Sequence, residues 1–348
     1  MHGRSAIGVR QWLVGGIFLL TAVLTGTSTD AAEPPPLQGG GPALSAGSYD
    51  AKVISFDGTP IAITLFVPNA PANTPVPLIL MHPGWAVPRA RALQPGGQFY
   101  FAPQEAAKLA NDNGYFVISF DERGFYESGG TVELSSPDYE GRDIQAILDW
   151  AEANLKPQLA YRSGQLVSAS LGLSYGAGTQ LIGAVVDSRI TTIVPAAGWN
   201  SLGSSLDPDN VPKSQWSGIL YRAAMFGSDR NVDPRMTELY DEQLTGSVDS
   251  GLIDSFSPNG LQDYCGTTPP PGFGVPRVSA FLVQGEADTL FNMNEGVANA
   301  ACLRAAGNDV RLLIEHYGHT LPLQPDAPFF IFGLEEQVQC GSQNFNLG

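Results

Sequence analysis

The chain has 348 residues and a formal charge of −16, with 15% charged residues against 40 glycines and 27 prolines. An acidic surface of this kind repels nucleic acid and disfavours an anionic polymer as substrate. The length suits one large α/β domain with an insertion and a well-buried core, and the glycine and proline content reads as loop-rich rather than disordered.

Residues 1–32 have the layout of a secretory signal peptide: Arg4 and Arg10, then an apolar stretch from Trp12 to Leu24, then small residues ending at Ala31 and Ala32. That stretch falls short of the roughly 20 residues a spanning helix needs, so a membrane anchor is the weaker reading. A secreted or periplasmic protein is expected, with no stable membrane insertion after signal removal. Cleavage would leave 316 residues and a charge of −17. Three cysteines, Cys265, Cys302 and Cys340, allow one disulfide with one thiol left over. Cys265 with Cys302 would tie two segments that flank one strand, and three free thiols is the alternative. No cysteine and histidine spacing suggests a metal.

After a Pro/Gly-rich leader from Glu33 to Pro42, the chain alternates strand and helix signals, as a mostly parallel sheet covered by helices requires. Ala51 to Phe56 and Ile61 to Val67 flank the turn Asp57-Gly58-Thr59-Pro60 and read as a hairpin. Strands follow at Leu78 to Met81, Tyr115 to Phe120, Leu166 to Leu171, Ile190 to Pro195, Val278 to Val283 and Val310 to His316. Helices are expected over Glu105 to Asn111, Asp143 to Asn154, Gly176 to Val186 and Gly296 to Ala306, the second with Ile144, Ile147, Leu148 and Ala151 on one face. Between Trp199 and Pro276 the alternation stops. Two helix-like runs, Ser214 to Phe226 and Met236 to Leu244, read as a helical cap beside the site, with Trp199, Trp216, Tyr221 and Phe226 as the aromatics available to line a pocket or to pack the cap itself. The expected organisation is a signal peptide over 1–32, a first core part over 33–198, a cap insertion over 199–276 and a second core part over 277–348.

Gly172-Leu173-Ser174-Tyr175-Gly176 stands between a strand-like and a helix-like run, as a nucleophile elbow requires. The pattern alone arises easily in a glycine-rich chain, so its context carries the reading. The two glycines keep side chains away from the neighbouring strand and helix, and the helix N-terminus brings positive partial charge to the reacting oxygen. Of four histidines, His319 is the expected base, because it follows the last strand in Tyr317-Gly318-His319-Thr320. His316 reads as a structural strand residue, and His82 as an orderer of the loop beside it. Asp288, after a strand and a glycine turn, is the expected third member, with Glu286 as its competitor. The order Ser174, Asp288, His319 is that of α/β-hydrolases. The oxyanion would be held by the backbone N–H of Tyr175 and, since Pro83 has none to offer, by that of Trp85 or Gly84, with Trp85 preferred.

With these residues in view, the chain resembles the X-Pro dipeptidyl-peptidase-like and cocaine-esterase-like acyl hydrolases of the α/β-hydrolase superfamily. The likeness runs from Asp57-Gly58-Thr59-Pro60-Ile61 through Phe120-Asp121-Glu122-Arg123-Gly124 with Ser128 and Gly129, Asp143 to Trp150, the elbow with its tyrosine, and Trp199-Asn200-Ser201-Leu202, to the acid and histidine loops. The resemblance implies an α/β-hydrolase fold and a small ester or short peptide as substrate, with no cofactor. An ion pair between Asp121 and Arg123 would explain that loop without chemistry. Members often take one oxyanion donor from a tyrosine hydroxyl after the early strand, where this chain has His82-Pro83-Gly84-Trp85. Members commonly carry a C-terminal jelly roll, whereas the 29 residues after His319 suit a closing helix and a tail, as in a minimal form or a truncated chain. A secreted serine esterase is therefore expected. An X-Pro peptidase, its substrate amine held by Glu122, Asp207 or Asp209, is the runner-up, and a non-catalytic binding protein on this fold the more distant alternative.

Overall fold

A turn at Asp57-Gly58 folds the first two strands, β1 (Gly47–Ile54) and β2 (Pro60–Val67), back to back in antiparallel register, with Ile54 opposite Pro60. The computed structural model describes residues 44–71, 74–93, 102–246, 264, 273, 276–316, 318–320, 331–332, 337–340 and 343–346. Residues 1–32, where a signal peptide is expected, Cys265 and residues 267–272 lie outside them. From the hairpin the chain alternates: β3 (Leu78–His82), α1 (Ala102–Asp112), β4 (Phe116–Phe120), α2 (Glu140–Leu155), a small hairpin of β5 (Tyr161–Arg162) and β6 (Gln165–Leu166), β7 (Ser168–Leu173), α3 (Tyr175–Val186) and β8 (Thr192–Ala196). After an interval described below come β9 (Ser279–Gly285), α7 (Met293–Ala305) and β10 (Asp309–Glu315). The main sheet has eight strands in the order β1-β2-β4-β3-β7-β8-β9-β10, antiparallel in the first two pairings and parallel from β4 onward.

Alternation along the buried strands divides the core between the two faces of the sheet. Leu78 and Leu80 of β3, with Ile118 and Phe120 of β4, meet Ile144, Ile147 and Leu148 of α2 and Leu181 and Ile182 of α3. Ile79 and Met81, on the opposite face, pack with Val117 and with Ala107 and Ala110 of α1. Each such leucine or isoleucine contributes about 1.5–3 kcal/mol by leaving water. Cys302, on α7 beside the first of these clusters, is disulfide-bonded, which sets aside the reading of three free thiols and leaves Cys265 or Cys340 as its partner. Tyr264, next to Cys265 in sequence, belongs to the same cluster.

Between β8 and β9 lie α4 (Leu202–Leu206), a 3-10 turn (Pro208–Asn210), α5 (Ser214–Gly227) and α6 (Pro234–Thr245). Ser201 caps α4 and Asp233 caps α6, each side chain accepting a backbone N–H of the first turn. Pro234 opens α6 and Gly246, at φ 73°, closes it, where only the left-handed region continues the chain. Beyond β10 the expected closing helix does not occur among the described residues. They form two short antiparallel pairs, β11 (His319–Thr320) with β12 (Ile331–Phe332) and β13 (Gln337–Cys340) with β14 (Gln343–Asn346).

The loop after β4 is held by two separate ion-pair systems, which corrects the expected pair of Asp121 with Arg123. Asp121 is bonded by Arg89, through both its guanidinium and its backbone N–H, whereas Arg123 forks onto Asp143 of α2 at 2.8 and 2.6 Å and reaches Asp57 in the first turn at 2.7 Å. Two acids in adjacent positions of the fold face one guanidinium, so the arginine satisfies both the hairpin turn and the helix. Arg123 and Asp143 are each 3% exposed as side chains. Breaking such a pair from one side leaves a buried charge alone, so Arg123→Leu should cost about 3–5 kcal/mol. Urea unfolding of wild type and variant measures it; a loss under 1 kcal/mol would mean that the pair is dispensable.

Candidate active site

Ser174 joins β7 to α3 with φ 60° and ψ −116°, a conformation that a residue with a side chain adopts only at a cost of about 1–3 kcal/mol. Close packing holds it there. A Cβ on Gly172 would lie 2.6 Å from the Gly176 carbonyl oxygen, and one on Gly176 would lie 2.5 Å from that of His82 and 2.7 Å from that of Pro83. The loop after β3 therefore runs directly against the first turn of α3, bringing Trp85 beside the serine. The Ser174 N–H donates to the Ala196 carbonyl at the end of β8, at 2.9 Å.

Asp288 follows β9 and is 5% exposed. Its Oδ1 accepts the N–H groups of Leu290 and Phe291 at 2.8 and 2.7 Å, and its Oδ2 lies 2.6 Å from His319 Nδ1. Gly318, at φ 148°, lets the two loops touch, because a Cβ there would stand 2.5 Å from Asp288 Cα. His319 is itself fixed: Thr289 donates its N–H and its hydroxyl to the His319 carbonyl, both at 2.8 Å, and the rings of Phe291 and Trp216 stand edge-on to the imidazole at 5.4 and 6.0 Å. The competing acid and histidine pair with each other. His316, one residue past β10, bonds Glu286 at 2.7 Å, with the glutamate side chain 54% exposed. Two His–carboxylate pairs thus lie side by side, one buried and one at the surface. A histidine whose Nδ1 bonds a buried acid has its other ring nitrogen placed to exchange a proton with a hydroxyl.

Phe291 connects the two halves, since it also lines a cavity with Ser174, Tyr175, Trp85, Trp199 and Leu239. The cavity leaves about 80 Å³ to the centres of water-sized molecules, and among the described residues none that lines it is charged. Of the aromatics singled out in the cap, Trp199 and Tyr221 line it, Trp216 packs on His319 instead, and Phe226 faces solvent at 88% exposure. Trp85 crosses Tyr175 edge-on at 4.7 Å and donates its indole N–H to the Leu220 carbonyl of α5 at 2.7 Å, binding the loop after β3 to that helix. The backbone N–H groups of Tyr175 and Trp85 therefore belong to two segments pressed together.

Behind the elbow is a group of buried polar side chains that sequence reasoning did not assemble. The Tyr175 hydroxyl accepts the Ser135 N–H at 2.8 Å and donates to Glu140 at 3.2 Å, which fixes the segment that carries Leu134 into the cavity wall. Burial, with Asp143 nearby, pushes the Glu140 carboxyl up to about 8. Glu122, considered above as a holder of a substrate amine, is wholly buried and raised well above the carboxylate range by the same desolvation. Of the other two acids, Asp207 does not line the cavity and Asp209 is exposed. His82 orders the elbow helix rather than its own loop, its Nδ1 bonding Thr179 of α3 at 3.0 Å. Among the described residues no group of histidine, cysteine and carboxylate side chains is placed to hold a metal ion, and no helix is long and apolar enough to cross a membrane.

The strand order, with a serine at the turn between β7 and α3, defines an α/β-hydrolase, and the solved structures similar to this chain agree. An esterase of Pyrococcus furiosus, Pf2001, superposes with a TM-score of 0.51 at 18% identity, covering 82% of this chain and 90% of the esterase. The acylaminoacyl peptidase of Pyrococcus horikoshii gives 0.50 at 14%, covering 78% of this chain and 37% of the peptidase. A search of curated proteins finds no match. The family model of the X-Pro dipeptidyl-peptidases, S15 family, matches residues 57–250, and the chain belongs to that family of hydrolases.

Burial alone drives His82 down to about 3, so the folded protein refuses a proton that the unfolded chain accepts near pH 6.5. Stability from this residue is complete above pH 6.5 and is lost as the pH falls toward 3, by up to about 1.4 kcal/mol per unit. A His82→Gln variant should therefore lose less stability than wild type between pH 6.5 and 4.5 in paired urea titrations. Parallel losses would show that another group governs acid unfolding.

Proposed function

We propose that the protein is a serine hydrolase that cleaves carboxylic esters through an acyl-enzyme. In this reading the Ser174 hydroxyl attacks the ester carbonyl, and His319 takes its proton and returns it to the leaving alcohol. Asp288 accepts the Nδ1–H of His319, which leaves Nε2 as the base. The N–H groups of Tyr175 and Trp85 receive the developing oxyanion, each such donor being worth about 3 kcal/mol in the transition state. Water then repeats the sequence on the acyl-enzyme and releases the acid.

The observation that favours an ester over an X-Pro peptide is the uncharged lining of the cavity next to Ser174. An exopeptidase must hold a substrate ammonium group, and an ammonium buried without a carboxylate is heavily penalised. Neither Glu122, sealed in the core, nor Asp209, in solvent, offers that carboxylate at the cavity. An apolar acyl or alcohol group fits the wall of tryptophan, tyrosine and leucine instead. Export to the periplasm or the medium is part of the same proposal. It is supported by the features of residues 1–32 and by the disulfide at Cys302, which suits an oxidising compartment.

Three measurements bear on this reading. A fluorophosphonate should label the wild type at Ser174 and leave Ser174→Ala unlabelled, and p-nitrophenyl esters should turn over faster than an X-Pro anilide; anilide preference would favour the peptidase, and an unlabelled folded protein would end the hydrolase reading. His319→Ala should lower kcat by about 10³-fold or more, whereas His316→Ala should stay within about threefold of wild type. Equal losses would leave the buried pair with no special role. Asp288→Asn should cost about 10³–10⁴-fold in kcat, measured on the same ester, and a loss below tenfold would move the acid role to another residue.

A further inference from the structure

The cavity beside Ser174 is apolar except at one place. Where α5 and α6 pack together, Tyr221 stacks on Tyr240 with centroids 4.4 Å apart, and about one turn further along Ser217 meets Gln243. Both pairs line the cavity. The Ser217 hydroxyl donates to Gln243 Oε1, and the Ser214 hydroxyl donates to the Gln243 carbonyl at 2.9 Å, so the glutamine is held at both ends. Gln243 is 1% exposed, yet its Nε2 donates to no acceptor among the described residues. A leucine or methionine would complete this wall at no such cost, because an amide nitrogen buried without an acceptor loses its hydration for nothing in return.

We propose that Gln243 Nε2 is a specificity-determining donor for an acceptor oxygen on the substrate chain that enters the cavity. The preferred substrates are then esters whose buried chain carries an ether, carbonyl or hydroxyl oxygen rather than plain hydrocarbon. The inference rests on the esterase reading above. A site built around a hydrogen bond discriminates against the analogue that lacks the partner, because the enzyme group is then left unpaired, whereas an all-apolar pocket separates such analogues weakly.

The test compares p-nitrophenyl hexanoate with its 4-oxa and 5-oxa analogues, which match it in length and differ in one oxygen, with rates corrected for spontaneous hydrolysis. One of the oxa esters should exceed the hexanoate in kcat/KM by about tenfold or more, and Gln243→Met should bring the ratio to near one. Ser217→Ala, which frees the amide from its fixed orientation, should shrink the same ratio and serves if the methionine variant does not fold. Equal kcat/KM values in wild type, or a preference that survives in the variants, would overturn the inference. Calorimetry of ethyl hexanoate and its oxa analogues on Ser174→Ala separates this proposal from the esterase reading. Selective binding of an oxa ester upholds the donor even without turnover, and equal binding refutes it even in an active esterase.

Discussion

The close approach of the loop after β3 to the first turn of α3 is the constraint on which the site depends. The carbonyls of His82 and Pro83 occupy the space where a side chain on Gly176 would stand, and Gly172 admits the helix from the other side. With both flanks filled by backbone, Ser174 has no relaxed conformation open to it and keeps φ 60°. The strain is small against the burial of β3, β7 and α3, so the fold enforces it. The same contact sets Trp85 against Tyr175, so position and strain come from one packing event.

Asp288 and His319 show how the fold fixes a polar pair without a polar surrounding. Three donors converge on the carboxylate, two of them from its own loop, while the imidazole is bracketed by Phe291 and Trp216 and its backbone is bonded twice by Thr289. Gly318 makes the contact possible by presenting no side chain to Asp288. The second histidine and acid, His316 and Glu286, make a comparable contact at 2.7 Å but stand at the surface. Burial and rigid backing, more than pairing itself, separate a pair able to organise proton transfer from a surface ion pair worth little.

Much of this was legible in the sequence because it is local. Period-two and helical patterns, and turn residues such as Asp57-Gly58, act over a few neighbours, and the elbow is written in five residues. The two helix-like runs of the interval, Ser214 to Phe226 and Met236 to Leu244, fall within one residue of α5 at its end and two of α6 at its start. Partners distant in sequence were not legible. An ion pair fixing the loop after β4 was the expectation for Asp121 and Arg123, but the arginine found Asp57 and Asp143 instead, 66 and 20 residues away. Phe226 carries the same apolar signal as Tyr221, five residues earlier, and faces solvent because 100° per residue rotates it off the cavity side. The buried group of Tyr175, Glu140 and Ser135 has no local signature, because only the fold brings Tyr175 to the stretch that carries Ser135 and Glu140.

The central claim is that Ser174, the buried His319 with Asp288, and the cavity form one reaction site. The most direct measurement is a crystal structure of the protein inactivated with an alkyl p-nitrophenyl phosphonate. The account predicts phosphorus bonded to Ser174 Oγ, a phosphonyl oxygen within hydrogen-bond reach of the Tyr175 N–H, His319 Nε2 facing the phosphonate, and the alkyl chain between Trp199 and Leu239. Phosphorus on another side chain, or a Ser174 adduct with His319 turned away and its alkyl chain outside the cavity, would contradict it.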